Sequence, residues 1–241
     1  MKTTAITSNL WQLTRDLVIF PVNAYLVRET DSLTLIDTTI GGGAPAILAA
    51  AQHIALPITR IVLTHAHMDH IGALDALHAA LPQAEVIFSA RETPFLEKDF
   101  RLLPGEAQVP MKGSFPVITT RPTRTVQPDE MIGSLRVIAA PGHTPGQIAL
   151  LDTRDQSLIV GDALQTFRRV AVAGTVTPLF PFMAMGTWHR PTALATARQL
   201  RDLHPTRLAV GHGAVLSGPL AAMDLAIAFA AQHVKEATHV A

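Results

Sequence analysis

Apolar residues in this chain come in short blocks cut by glycine and proline, and each block reads as one element. Runs at 17–20, 24–27 and 33–36 predict consecutive strands, with Asp31 and Ser32 turning between the last two, so a hairpin-rich sheet opens the fold. Alanine-rich residues 44–54 predict a helix entered through Gly41, Gly42 and Gly43 and stopped by Pro57. A strand at 60–64 follows. Next, Ile71, Leu74, Leu77 and Leu81 recur at three- and four-residue steps, the spacing of a helix that Pro82 ends. A strand at 85–89 completes a β-α-β unit, and 91–101 reads as a short helix. The second half repeats the scheme: strands at 135–139, 147–152 and 157–160, a helix at about 192–203, a strand at 207–210 and a helix at 220–236. Two similar halves of this kind predict two sheets packed face to face with helices outside.

The polar residues that interrupt these blocks are not ordinary loop residues. Residues 64–72 place His65, His67, Asp69 and His70 directly after a buried strand, a density of metal-ligating groups that packing does not require. Three later strands end alike, each with a metal-competent side chain beside glycine: Gly142-His143, Gly161-Asp162 and Gly211-His212. In open α/β sheets the rim at strand ends is where sites are built.

Composition narrows the chemistry. The 241 residues contain no cysteine, which removes disulfides, a thiolate nucleophile and any thiolate-held metal. Ligands must then be imidazole or carboxylate, a set that suits zinc, and after it iron(II) or manganese. With 48% hydrophobic and 16% charged residues the chain can bury a full core and reads as one domain, 1–241. Residues 104–125 and 174–191 read as long ordered loops. Net charge is zero, and Lys2, Lys98, Lys112 and Lys235 are scattered, so no basic stripe awaits nucleic acid. No run approaches a membrane span and residues 1–10 lack an apolar core segment, so the expected setting is cytoplasmic.

The pattern His65-x-His67-x-Asp69-His70, followed in order by His143, Asp162 and His212, resembles the ligand set of the metallo-beta-lactamase superfamily over most of the chain. The resemblance implies an α+β fold, the four-layer αββα sandwich. It implies two zinc ions, His65, His67 and His143 binding the first, Asp69, His70 and His212 the second, and Asp162 bridging both. It further implies hydrolysis of a small-molecule carbonyl substrate by a metal-bridging hydroxide, with Asp69 as catalytic proton carrier. Asp37 resembles the aspartate that follows the family's early strand, and with Thr64 is expected to orient imidazoles or the ligand loop.

Within that family a carboxylate at Asp162 resembles the lactonase, glyoxalase II and phosphodiesterase branches, whereas dedicated beta-lactamases place cysteine or serine there. The expected substrate is thus a small ester, lactone or thioester, with beta-lactam cleavage at most promiscuous. Lys235 is the sole Lys or Arg after His212, against a glutathione thioester, and Tyr25, the only tyrosine, does not follow Asp162 as a lactonase tyrosine would. A mononuclear iron persulfide dioxygenase is the alternative. The apolar stretch Leu179, Phe180, Phe182, Met183, Met185 and Trp188 is expected to wall the site, with a homodimer contact as the competing account. His53, His78, His189, His204, His233 and His239 read as surface or packing residues, with His189 the exception to watch because it lies in a candidate lid, and Asp75 and Asp152 as solvated ones.

Overall fold

A computed structural model of the chain describes residues 1–17, 20–178 and 180–239. It divides into two compact units, Met1–Asp99 with Ser114–Gln127, and Phe100–Gly113 with Pro128–Ala241.

Among the described residues the first unit builds one seven-stranded sheet in chain order: β1 (Lys2–Ala5), β2 (Leu10–Asp16), β3 (Pro21–Arg28), β4 (Leu33–Ile36), β5 (Ile58–Val62), β6 (Glu85–Ser89) and β7 (Arg124–Val126). β1 to β4 pair antiparallel, each with the next in sequence. From β4 to β7 the pairing is parallel, because each connection is now a long crossover. Leu35, Ile36, Ile61, Val62, Val86 and Ile87 are fully buried, the run of apolar neighbours that strands covered on both faces require.

α1 (Ala44–Ile54) spans the first crossover and buries Ala44, Ile47, Ala50 and Ala51, one face of a 3.6-residue period. It ends at left-handed Ala55, two residues before Pro57. The helix predicted from Ile71 to Leu81 is two pieces, α2 (Met68–Ile71) and α3 (Leu74–Ala80). Gly72 lies at the break, and a Cβ there would sit 2.5 Å from the Met68 carbonyl oxygen and 2.7 Å from the Gly41 nitrogen. Only glycine allows the turn after His70 so close to the backbone that enters α1. The helix predicted at 91–101 is a 3-10 turn, Thr93–Glu97.

The second unit holds a six-stranded sheet among the described residues: β8 (Met131–Ile132), β9 (Leu135–Ala139), β10 (Ile148–Asp152), β11 (Ser157–Ile159), β14 (Arg207–Ala209) and β15 (Leu216–Ser217), ordered β15-β14-β11-β10-β9-β8. β12 (Leu164–Gln165) and β13 (Ala171–Val172) pair separately. Three helices follow in sequence: α4 (Phe182–Gly186), α5 (Arg190–Asp202) and α6 (Leu220–His239). Ala193, Leu194, Ala197 and Leu200 of α5 and Met223, Ala226 and Ala230 of α6 share one core cluster with Ile138, Ala149, Leu151, Leu158 and Leu208 of the sheet. The apolar stripes of both helices therefore cover one sheet face, and their removal from water is the main force holding this unit.

Several expectations need amending. β1 and β2 were not foreseen. Residues 174–191 are not an unbroken loop, since α4 lies within them. Residues 18 and 19 of the strand expected at 17–20, and Leu179 of the apolar stretch, lie outside the described residues. Among the described residues no helix is long and apolar enough to cross a membrane.

Candidate metal centre

β5 carries the first donor set. Leu63 and Thr64 continue from the strand, His65 and His67 occupy the turn, and α2 brings Asp69 and His70 round on its single turn. His65, His67 and His70 are buried, while the Asp69 side chain keeps 24% of its surface exposed. The imidazoles crowd together, with ring centroids of His65 4.8 Å from His67 and 4.1 Å from His70.

The hydrogen-bond network around them assigns the tautomers. Asp37 Oδ1 accepts the Thr64 backbone N–H at 2.8 Å, and Asp37 Oδ2 accepts both the Thr64 hydroxyl at 2.8 Å and His70 Nδ1–H at 2.7 Å. Having given its only proton to Asp37, the Thr64 oxygen accepts from His65 Nδ1–H at 3.1 Å. Both imidazoles thus carry their proton on Nδ1 and the lone pair on Nε2. A neighbour fixing one ring nitrogen as N–H so that the other can donate is how metal-binding histidines are oriented. His70 is further held by its carbonyl, which accepts the Thr38 N–H and hydroxyl.

The second unit repeats this logic. His143 sits in the turn between β9 and β10, and its Nδ1 lies 3.0 Å from the hydroxyl of Thr187, which itself donates to the Met183 carbonyl at 2.6 Å. The threonine oxygen must therefore accept, leaving the lone pair of His143 on Nε2. That atom lies 3.4 Å from Asp162 Oδ2, and His212 Nε2 lies 3.3 Å from the same oxygen. Both gaps exceed the usual N–H···O range of 2.7–3.2 Å. His143 thus turns an electron pair toward a carboxylate that lies close to a second imidazole, an arrangement that a cation among them would make favourable. Neutral nitrogen and anionic oxygen donors, all on buried residues, fit a divalent metal ion.

Backbone geometry makes the His143 turn possible. Gly142 has φ 133°, and a Cβ on it would lie 2.4 Å from backbone atoms of Ala193 in α5. The turn is clamped by Trp188 N–H on the His143 carbonyl and His189 N–H on the Gly142 carbonyl, both at 2.9 Å.

Asp37 and Thr64 have the orienting contacts expected of them. Two contributors went unforeseen: Thr187, and Glu92, whose buried carboxylate accepts the Ala66 N–H inside the ligand loop at 3.0 Å. Neither sits in a motif; their partners lie 44 and 26 residues away in sequence. His53, His204 and His233 are exposed, His78 and His189 half-buried, and the side chain of His239 lies outside the described residues. Asp75 and Asp152 are not free solvated groups. Asp75 accepts the N–H groups of Thr119 and Thr120, and buried Asp152 pairs with Arg154 at 2.6 Å. Burial pushes the Asp75 carboxyl up, but hydrogen bonds from Thr119 and Thr120 outweigh it and leave the pKa below the ordinary value.

The apolar stretch divides. Phe180, Met183 and Trp188 are buried, whereas Phe182 and Met185 are exposed. Phe180 meets His212 edge-on at 5.1 Å and Phe182 at 6.1 Å, so an aromatic row leads outward from His212. Trp188 instead turns its indole N–H to the Val109 carbonyl.

Comparison with known proteins agrees with this picture. The sequence model of the metallo-beta-lactamase superfamily matches residues 17–212. The uncharacterized protein YobT of Bacillus subtilis (strain 168) is 44% identical over 219 residues, 90% of this chain and 94% of its own. The probable metallo-hydrolase YflN of the same organism is 27% identical over 84% of each chain. A hydroxyacylglutathione hydrolase of Rhodospirillum rubrum is 31% identical over 142 residues, 58% of this chain and 46% of its own length. Among solved structures the DIM-1 metallo-beta-lactamase superposes with a TM-score of 0.73 at 12% identity, over 96% of this chain and 97% of that one. That likeness is one of α+β fold.

Proposed function

The chain belongs to the metallo-beta-lactamase superfamily as a metal-dependent hydrolase acting on small molecules, and from that premise we propose that it cleaves an ester, lactone or thioester. In this reading residues 1–241 form one metallo-hydrolase domain working in the cytoplasm. His65, His67 and His143 would hold one zinc ion and Asp69, His70 and His212 a second, with Asp162 serving both. Zinc so held would supply a Lewis acid and bring the pKa of a bound water down to roughly 7.

The observation that carries the proposal is the fixing of His65, His70 and His143 as the tautomer with a lone pair on Nε2, each through an acceptor on Nδ1. Ordinary buried histidines have no need of three such arrangements. Asp162, between His143 and His212, supplies the anionic charge that two close cations require. Asp69 has the most exposed side chain of the first donor set, as a group that takes a proton from solvent and returns it to a leaving group should. The row Phe180–Phe182 offers an apolar surface to the acyl side of a substrate. The kinship with a hydroxyacylglutathione hydrolase favours a thioester among the three carbonyl classes.

Elemental analysis of protein from unsupplemented cells, with a panel of lactones, acyl thioesters, a glutathione thioester, a phosphodiester and a chromogenic lactam, tests this. Two zinc equivalents and turnover of an ester or thioester carbonyl are expected. A single iron with oxygen uptake on a persulfide would replace the hydrolase by a dioxygenase.

A further inference from the structure

Thr187 closes α4, and two separate demands meet on its hydroxyl. It is fully buried, takes an extended backbone with φ −80° and ψ 124°, and lies one residue beyond the end of the helix. Helices leave their last carbonyls without an intrahelical partner, and Thr187 donates to one of them, that of Met183, at 2.6 Å. A hydroxyl has one proton. With that proton committed, the oxygen can face His143 Nδ1 at 3.0 Å only as an acceptor, so the imidazole is held with Nδ1 protonated.

Local capping explains the bond to Met183 but not the one to His143. The neighbouring backbone already fastens the His143 turn, through Trp188 N–H and His189 N–H. What the side chain adds is control of the ring: its rotation about χ2 and the nitrogen that bears hydrogen. Thr64 stands in the same relation to His65 in the first unit, its hydroxyl donating to Asp37 and accepting from Nδ1. The same device thus appears twice, once anchored on a carboxylate and once on a helix carbonyl. A carboxylate anchor makes its imidazole the more basic, whereas a carbonyl anchor sets geometry at little gain in basicity.

We propose that Thr187 is a positioning residue for metal capture, its hydroxyl holding His143 as the tautomer that offers Nε2 and fastening that ring to the end of α4. This rests on the reading of His143 as a metal ligand.

The test uses metal-free and zinc-loaded full-length protein. Side-chain nitrogen NMR of the metal-free wild type should show His143 protonated on Nδ1 and bare on Nε2. Thr187→Val, of nearly equal volume, should give a mixture of tautomers and weaken zinc binding about 10- to 100-fold in chelator competition. Thr187→Ser, which restores the hydroxyl, should return the single tautomer and affinity to within about threefold of wild type. His143→Ala should weaken binding at least as much as Thr187→Val. If His143→Ala loses affinity while Thr187→Val keeps both affinity and tautomer, Thr187 only caps the helix and the proposal is overturned. If His143→Ala leaves every zinc equivalent bound as tightly, His143 is not a ligand, and the reading beneath the proposal falls with it. Should Thr187→Val fail to fold, the wild-type spectrum decides, since His143 protonated on Nε2 is incompatible with the assigned role.

Discussion

Asp37 Oδ2 stands 2.7 Å from His70 Nδ1, two buried residues 33 positions apart, and the same oxygen also takes the hydroxyl proton of Thr64. One carboxylate thereby orients two imidazoles, His70 directly and His65 through Thr64. Asp37 reaches this place in a left-handed backbone conformation, φ 58°, which aspartate tolerates better than most residues.

Replacing Asp37 by asparagine keeps the shape and removes one acceptor. Whichever way the amide turns, its NH2 faces a donor, either the Thr64 N–H or the pair formed by the Thr64 hydroxyl and His70 Nδ1–H. Zinc affinity should fall about 10- to 100-fold. Chelator competition on Asp37→Asn measures it, and unchanged affinity would show that the orientation of His65 and His70 is immaterial to binding.

Gly142 should be irreplaceable on structural grounds alone. Alanine there combines a backbone at φ 133° with a methyl group 2.4 Å from the backbone of α5, and its neighbour is His143. Strain and overpacking together should cost about 2–5 kcal/mol. Urea denaturation of metal-free Gly142→Ala reads this directly, and a change below about 0.5 kcal/mol, the scatter of surface substitutions, would mean the turn adjusts freely.

Much of this arrangement was legible from residue order, for reasons that can be named. The candidate donors follow apolar blocks, and His143, Asp162 and His212 also sit beside glycine, so block ends and donors mark each other, while the parallel strands Leu33–Ile36, Ile58–Val62 and Glu85–Ser89 carry the fully buried apolar neighbours Leu35 and Ile36, Ile61 and Val62, and Val86 to Phe88. β1 and β2 escaped because their stability is not local: the polar sequence Lys2-Thr3-Thr4-Ala5 is a strand only through its register with Ala5 opposite Trp11 and Lys2 opposite Thr14. Thr187 and Glu92 escaped similarly, since neither residue type nor neighbours mark them, and their role lies in a partner distant in sequence. The apolar stretch near Trp188 does not reveal which of its residues pack inward, because hydrophobicity alone cannot tell buried Phe180, Met183 and Trp188 from exposed Phe182 and Met185.

That division gives Phe182 and Trp188 different fates. Phe182, 44% exposed at the outer end of the aromatic row, should act on substrate: Phe182→Ala is expected to raise KM for long acyl chains about 3- to 10-fold with stability unchanged, the worth of partial burial of one apolar contact. Trp188, buried and bonded to Val109, should act on folding: Trp188→Ala should cost about 3–5 kcal/mol. A KM effect from Trp188→Ala at full stability would reverse the assignment.

His189 gives the protein a stability that depends on pH in a stated direction. Burial first, and the Lys112 ammonium second, hold its imidazole below the ordinary value of about 6.5. Between the folded pKa and about 6.5 the unfolded chain therefore binds a proton that the folded chain does not. The number of protons bound by the unfolded state exceeds that of the folded state in this window, so stability rises with pH there. The contribution is intact above about 6.5 and is lost as pH falls toward the folded value. The informative quantity is a difference: the stability of metal-free wild type against His189→Asn, measured by denaturation at steps from about pH 7.5 to 5. The wild type should lose more stability on acidification than the variant. Lys112→Gln, which removes the smaller of the two causes, should flatten the wild-type slope only in part. Parallel curves for wild type and His189→Asn would show that this imidazole titrates alike in the folded and unfolded chain.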